Sequence, residues 1–280
     1  DETFEISTAD NAVKVNDIDF TSVASVDAGA STGDAVTTTE LVDADLTVNG
    51  NELVASTIHF STINDADLSG GALTGTDTSD ETFSISTTDN AVNVNAIDFT
   101  SVASIDAGTS TGDAVTTTEL VNADLTANGN ELAASTINFS NINDADLSGG
   151  ALTGTDTNDE AFEISTAANK VNVNDIDFTQ VSAIDAGSSA GDSVVASGSA
   201  VNAELTSSNN GLTASAIGFS NINDADLNNG ELTGTNTDSE TFTITSAANA
   251  VNVNAIDFTQ VAAINAGSSA GDSIVASGSA

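Results

Sequence analysis

Residues 11–29 read NAVKVNDIDFTSVASVDAG. Apolar and polar residues alternate in Val13-Lys14-Val15, in Ile18-Asp19-Phe20 and again in Val26-Asp27-Ala28. Successive side chains of a strand point to opposite faces, so each triplet has the pattern of a short strand with one buried side. The β-branched residues suit a strand. The following segment, Gly29-Ala30-Ser31-Thr32-Gly33-Asp34, is rich in turn formers. No window sustains a 3.6-residue period, and Thr, Val, Asn and Gly are weak helix formers.

Outward from this stretch the chain repeats itself. Asp1-Glu2-Thr3-Phe4 returns as Asp80-Glu81-Thr82-Phe83, and Phe162 and Phe242 continue the series at spacings of 79, 79 and 80 residues. Three long repeats, 1–79, 80–158 and 159–238, and a partial one, 239–280, form one continuous array. A half-period lies inside: Ile-x-Phe occurs seven times, from Ile18/Phe20 to Ile256/Phe258, at steps of 39 to 41 residues. Within the first repeat, Phe4-Glu5-Ile6, Val26-Asp27-Ala28, Ala44-Asp45-Leu46 and Ala66-Asp67-Leu68 share the apolar–polar–apolar pattern, a mean step of about 20 residues. Such periods mark solenoids. The expected fold is all-β: a right-handed parallel β-helix of roughly 14 coils of about 20 residues, right-handed because parallel crossovers are. A sandwich of immunoglobulin-like modules is the rival, but the sub-period is too short for one and its buried aromatic anchors are missing. Stacked coils would place the Phe residues in lumen ladders.

Charge excludes much. The 280 residues hold 42 Asp and Glu against Lys14 and Lys170, a formal net charge of −40. Nucleic acid and anionic membrane surfaces would be repelled. No Cys is present, so thiol chemistry and zinc–thiolate sites are excluded. His59 is the single histidine, and it replaces a polar residue found at the same half-repeat position elsewhere, as in Asp19 and Asp98. The first residue is Asp, and both ends carry the repeat onward, so a piece of a longer processed protein is expected.

With apolar residues inward, Glu5, Asp27, Asp45 and Asp67 point outward, one per coil, and eleven of the fourteen such positions along the chain are acidic. Like charges on neighbouring strands repel, so cations are expected partners. Fourteen rungs would make a rod of ~67 Å, with a charge density near that of duplex DNA. Calcium prefers six to eight oxygens. Asp27, Asp34, Asp106, Asp113, Asp185 and Asp192 flank Gly-rich turns with open carbonyls and are the candidate calcium carboxylates.

The units DETFEIS, NAVKVNDIDFTSVASVDAG and TINDADLSGGALTGT resemble those of giant bacterial surface and secreted proteins built from β-strand repeats, of the adhesin, matrix-fibre or surface-layer type. Residues 28–36 and 107–115 also resemble, more distantly, the calcium-binding nonapeptide repeat. The resemblance implies an extracellular, non-enzymatic structural segment at the cell surface, partnered by copies of itself end to end or side by side and by divalent cations. A surface-layer subunit is a variant of this expectation. An ice-binding solenoid is a further alternative, on the rows Thr37-x-Thr39, Thr74-x-Thr76, Thr116-x-Thr118, Thr153-x-Thr155 and Thr233-x-Thr235. A polysaccharide-acting β-helix enzyme is the last alternative. It would need paired carboxylates in a unique cleft, whereas every carboxylate motif here recurs.

Overall fold

A computed structural model describes residues 1–277. The end of the partial repeat 239–280 lies outside the described residues. The chain is all-β: a solenoid whose strands pair in parallel from one turn to the next, interrupted by antiparallel meanders. It divides into two compact units, residues 1–121 with 130–146, and residues 122–129 with those from 147 onward.

The first unit shows how the chain winds. Its strands up to residue 121 are β1 (Thr3–Ile6), β2 (Ala12–Val15), β3 (Ile18–Thr21), β4 (Ser25–Asp27), β5 (Ala35–Thr38), β6 (Ala44–Leu46), β7 (Glu52–Ala55), β8 (Ile58–Ser61), β9 (Asp65–Asp67), β10 (Ala72–Thr74), β11 (Thr82–Ile85), β12 (Val92–Val94), β13 (Ile97–Thr100), β14 (Ser104–Asp106) and β15 (Ala114–Thr117). One series of neighbours runs β3-β2-β1-β5-β9-β13-β12-β11-β15. The other runs β4-β8-β7-β6-β10-β14. Between the two series lies the apolar core. On leaving β4 the chain joins the first series at β5, directly beside β1. Then β6 enters the second series two places beyond the free edge of β4, and β7 and β8 run backwards to fill the gap. β11, β12 and β13 repeat the move in the first series. The second unit pairs in the same way, with Ala161–Ile164 beside Ser193–Ala196 and Leu212–Ala214 returning beside Ile217–Ser220.

The tight returns explain how the meanders form. Asn16 and Asp17, Ser56 and Thr57, and Asn95 and Ala96 are all at positive φ, 46–66°. Two consecutive residues of that kind make a type I′ hairpin, whose twist matches that of its strands.

Two expectations need correction. Phe4 lies beside Val36, Val36 beside Ala66 and Ala66 beside Phe99. These are parallel steps of 32, 30 and 33 residues, so the solenoid has about nine turns instead of fourteen. The 20-residue step counted strands of both series, and of the meanders, as if each began a coil. The Phe ladder is likewise absent, because the residue period is longer than the parallel step. Phe rings meet across the core instead: Phe4 with Phe60 at 6.1 Å, Phe83 with Phe139 at 6.2 Å and Phe162 with Phe219 at 6.3 Å between centroids. Ten of the eleven Phe are buried, while Phe20, on the open edge of β3, is half-exposed.

Candidate functional site

Among the described residues the continuous acidic ladder does not form. Along one column Asp45, Thr74, Asp106 and Ser140 alternate, and elsewhere Glu5 stands beside Thr37, Asp67 beside Thr100 and Asp27 beside Ser61. A hydroxyl residue therefore separates most outward carboxylates. Carboxylates do meet at Asp65 and Asp98, and at Asp224 and Asp257. There burial, and then the Asp257 charge, pushes the Asp224 carboxyl up. The same interleaving interrupts the Thr rows: Thr74 has Asp45 and Asp106 as neighbours, and Thr116 has Ser84. No contiguous Thr array of the ice-binding kind arises at these positions.

The candidate calcium carboxylates fall into two sets with different work. Asp27, Asp106 and Asp185 end strands and cap the following turn. Asp27 accepts the Gly29 N–H at 3.1 Å and the Thr62 hydroxyl at 2.8 Å, which hold its carboxyl below the usual range, the Thr62 bond first. Asp106 and Asp185 accept the Gly108 and Gly187 N–H groups and the Asn141 and Asn221 amides. All three keep their carboxylates at the surface.

Asp34, Asp113 and Asp192 are fully buried. Each accepts the backbone N–H of an acidic residue one turn away: Glu2 at 2.8 Å, Glu81 at 2.7 Å and Glu160 at 2.8 Å. Asp272 does the same for Glu240 at 3.0 Å. Glu81 and Glu160 are themselves buried, and each accepts the hydroxyl of Thr76 or Thr155 at 2.6 Å and that residue's N–H. Sequence reasoning missed these Glu residues. Strand parity carries the signal: Glu81 stands two before the buried Phe83, and Asp113 two before the buried Val115, so both point inward. Burial first, and then the charges of Glu81 and Asp80, push the Asp113 carboxyl up to about 6. Burial first, and then Glu160, does the same for Asp192, to about 6. A carboxyl in such a place holds its proton closer to neutrality.

Among the described residues no three His, Cys, Asp or Glu side chains are grouped so as to hold one metal ion. The surface Asp and the buried Asp of each turn make separate sets of bonds, and Asp113 and Asp192 each accept the backbone N–H of one Glu. The other singular residues are at the surface. His59 lies 3.4 Å from Glu52, and Lys14 lies 3.8 Å from Asp17.

No protein-family model, curated protein or solved structure matches the chain.

Proposed function

We propose that the chain is a structural segment of an extracellular surface or matrix protein, a scaffold or stalk that works through its repetition and has no discrete active site. The observation that supports this is the recurrence of the polar clusters. The bond from a Glu backbone N–H to an Asp carboxylate one turn away recurs at Asp34/Glu2, Asp113/Glu81, Asp192/Glu160 and Asp272/Glu240, at 2.7–3.0 Å and in both units, and in Asp113/Glu81 and Asp192/Glu160 both residues are buried. A catalytic centre needs one place where groups differ from their copies, whereas a scaffold needs the same joint many times. Copies of the chain and a cation atmosphere are its partners, the latter because −40 formal charges on a surface with two Lys must be screened. Electron microscopy of native material and antibody labelling of intact cells test the reading. Filamentous or layered material outside the cell is expected. Compact particles that turn over a polysaccharide, or labelling confined to lysed cells, would overturn it.

A further inference from the structure

The chain contains four Asn–Gly pairs: Asn49-Gly50, Asn128-Gly129, Asn210-Gly211 and Asn229-Gly230. Two of them are held fast. Asn210, at φ 57°, donates its backbone N–H to the Asn254 carbonyl and accepts that of Ile222, both at 2.9 Å. Its side-chain amide donates to the Ile222 carbonyl, again at 2.9 Å. Asn229, at φ 68°, lies within the strand Asp224–Thr233. The glycines that follow are buried and have no room for a side chain. A Cβ on Gly211 would lie 2.3 Å from the Thr206 hydroxyl, and one on Gly230 1.8 Å from the Val201 carbonyl oxygen.

The other two pairs are exposed, and none of their four residues is at positive φ. The bonds of Asn49 stay within its own turn. Its N–H donates to the Thr47 hydroxyl at 3.3 Å, its carbonyl accepts that hydroxyl at 3.2 Å, and its amide donates to Glu52 at 2.9 Å. Asn128 and Thr126 repeat the first two bonds at 3.4 and 3.5 Å. A Cβ on Gly50 would come no nearer than 3.6 Å to the Asn95 carbonyl oxygen, and one on Gly129 no nearer than 3.8 Å to that of Asn174. In the other half-repeats Asp10, Asp89, Ala168, Asn209 and Ala248 fill the place of Gly50. The fold therefore does not require glycine there. What glycine changes is the chemistry, because its backbone nitrogen is unhindered.

We infer that Asn49 and Asn128 are sites of spontaneous modification, at which the chain converts its own asparagine to isoaspartate and aspartate with water as the co-reactant. The Gly50 nitrogen attacks Asn49 Cγ. The N–Cγ bond forms, the Cγ–Nδ2 bond breaks, and ammonia leaves with the proton of the Gly50 N–H. Water then adds to either carbonyl of the cyclic imide and opens it, and no oxidation or reduction is involved. Ring closure rotates the main chain between Asn49 Cα and Gly50, which the local Thr47 bonds and the space around Gly50 allow. At Asn210 the same rotation would break the bonds to Ile222, and at Asn229 it would drive Gly230 into the Val201 carbonyl.

The product reaches the corner of the solenoid. Isoaspartate adds a methylene to the main chain just before Asn51, whose N–H and amide reach the Asn95 and Ala96 carbonyls. A new carboxylate also comes to lie near Glu52. Conversion at Asn128 does the same before Asn130, whose amide reaches the Ile142 carbonyl. Each conversion loosens a corner as the protein ages. The reaction needs no partner and does not rest on the stalk reading.

Peptide mapping by mass spectrometry of the chain aged in mildly alkaline buffer, with enzymatic methylation to mark isoaspartate, tests this. Asn49 and Asn128 should convert, and Asn210 and Asn229 should react about 10-fold more slowly or less, the worth of the bonds that must break. In urea that unfolds the chain the four should converge. Gly50→Ala should keep the starting melting temperature and slow Asn49 about 10-fold or more, since a Cβ crowds the attacking nitrogen, with Asn128 unchanged. Asn49→Gln, which cannot close the same ring, replaces it if Gly50→Ala folds poorly. The aged chain should melt lower than a fresh one, and Gly50→Ala with Gly129→Ala should lose less. Equal rates at all four sites in the folded chain, no conversion at Asn49 and Asn128, or scission after Asn49 in its place would each overturn the assignment. Full conversion with an unchanged melting temperature would overturn the loosening of the corner.

Discussion

Asn51 hooks one half-repeat to the next through the turn at Asn95. Its backbone N–H donates to the Asn95 carbonyl at 2.9 Å, and its side-chain amide donates to the carbonyls of Ile63 at 3.1 Å and Ala96 at 3.2 Å. Asn11 reaches the Ser56 carbonyl, Asn90 that of Ser135, Asn169 that of Ser215 and Asn210 that of Asn254 in the same way. Each of these Asn residues has φ of 57–60°, a left-handed conformation that Asn tolerates better than other residues with a Cβ.

Asn51 therefore supplies both a conformation and two donors. Asn51→Ala should cost about 2–4 kcal/mol, the sum of left-handed strain and carbonyls left without a partner. Asn51→Gly keeps the conformation and loses the donors, and should cost about 1–2 kcal/mol. Urea unfolding of the two variants checks the order. Equal costs would show that the side-chain bonds, and not the backbone conformation, set the residue.

The glycines of the β4–β5 and β14–β15 turns give a matched pair. Gly29 and Gly108 have φ of 93° and 97°. A Cβ on Gly29 would meet nothing within 4 Å, whereas one on Gly108 would lie 2.5 Å from the Thr76 carbonyl oxygen. Gly29→Ala should cost about 1–2 kcal/mol from strain alone, and Gly108→Ala should cost clearly more, because backbone must move. Melting temperatures of the two variants decide it, and similar losses would mean that the turns yield.

Inward and outward positions were legible in the sequence, since the burial of β11, exposed–buried–exposed–buried, follows Thr82-Phe83-Ser84-Ile85. The count of turns was not. A strand such as Val26-Asp27 looks the same whether it belongs to one series or the other, and side-chain alternation says nothing of which neighbour it finds. The meanders were hidden because their turns use Asn16-Asp17, Ser56-Thr57 and Asn95-Ala96, none with the Gly that usually announces a type I′ hairpin. The buried Asp–Glu pairs needed a partner 32 residues away, which follows only from the parallel register.

Core packing should dominate stability at Phe99. Its ring is buried beside Ala66, so Phe99→Ala should cost about 3–5 kcal/mol. Asp98→Asn, one residue earlier and outward, relieves the charge opposite Asp65 and keeps an oxygen for the Asn93 amide at 2.6 Å, so it should be near neutral. Phe20→Ala, at the half-exposed equivalent, should cost much less than Phe99→Ala. Urea midpoints of the three variants rank them, and a large loss for Asp98→Asn would overturn the inward and outward assignment.

The buried acids should make the fold prefer mildly acidic solution. The Asp113 and Asp192 carboxyls sit at about 6 in the folded chain, against about 3.9 when unfolded. Between those values the folded state holds more protons than the unfolded one, so stability contributed by these groups falls as pH rises from about 4 to above 6. Asp113→Asn keeps an oxygen for the Glu81 N–H and removes the buried charge. It should raise the melting temperature at pH 7.5 and change it little at pH 5, and the shallower pH profile is the readout. An equal effect at both values would remove Asp113 from the account.

Screening, and not a caged ion, should govern the remaining electrostatics. The net charge of −40 works against folding at low salt, and the hydroxyl residues between the outward carboxylates moderate it without cancelling it. The surface set of Asp27, Asp106 and Asp185 already accepts N–H and hydroxyl or amide donors, and no three-carboxylate group stands among the described residues. Thermal stability should therefore rise with NaCl, and CaCl2 should add little once ionic strength is matched, beyond the general preference of polyanions for divalent ions. Calcium that raises the melting temperature at micromolar concentration would show a specific site. Loss of that effect in Asp113→Asn but not in Asp106→Asn would place it at the buried Asp–Glu pair, and the reverse would place it on the strand-end carboxylates.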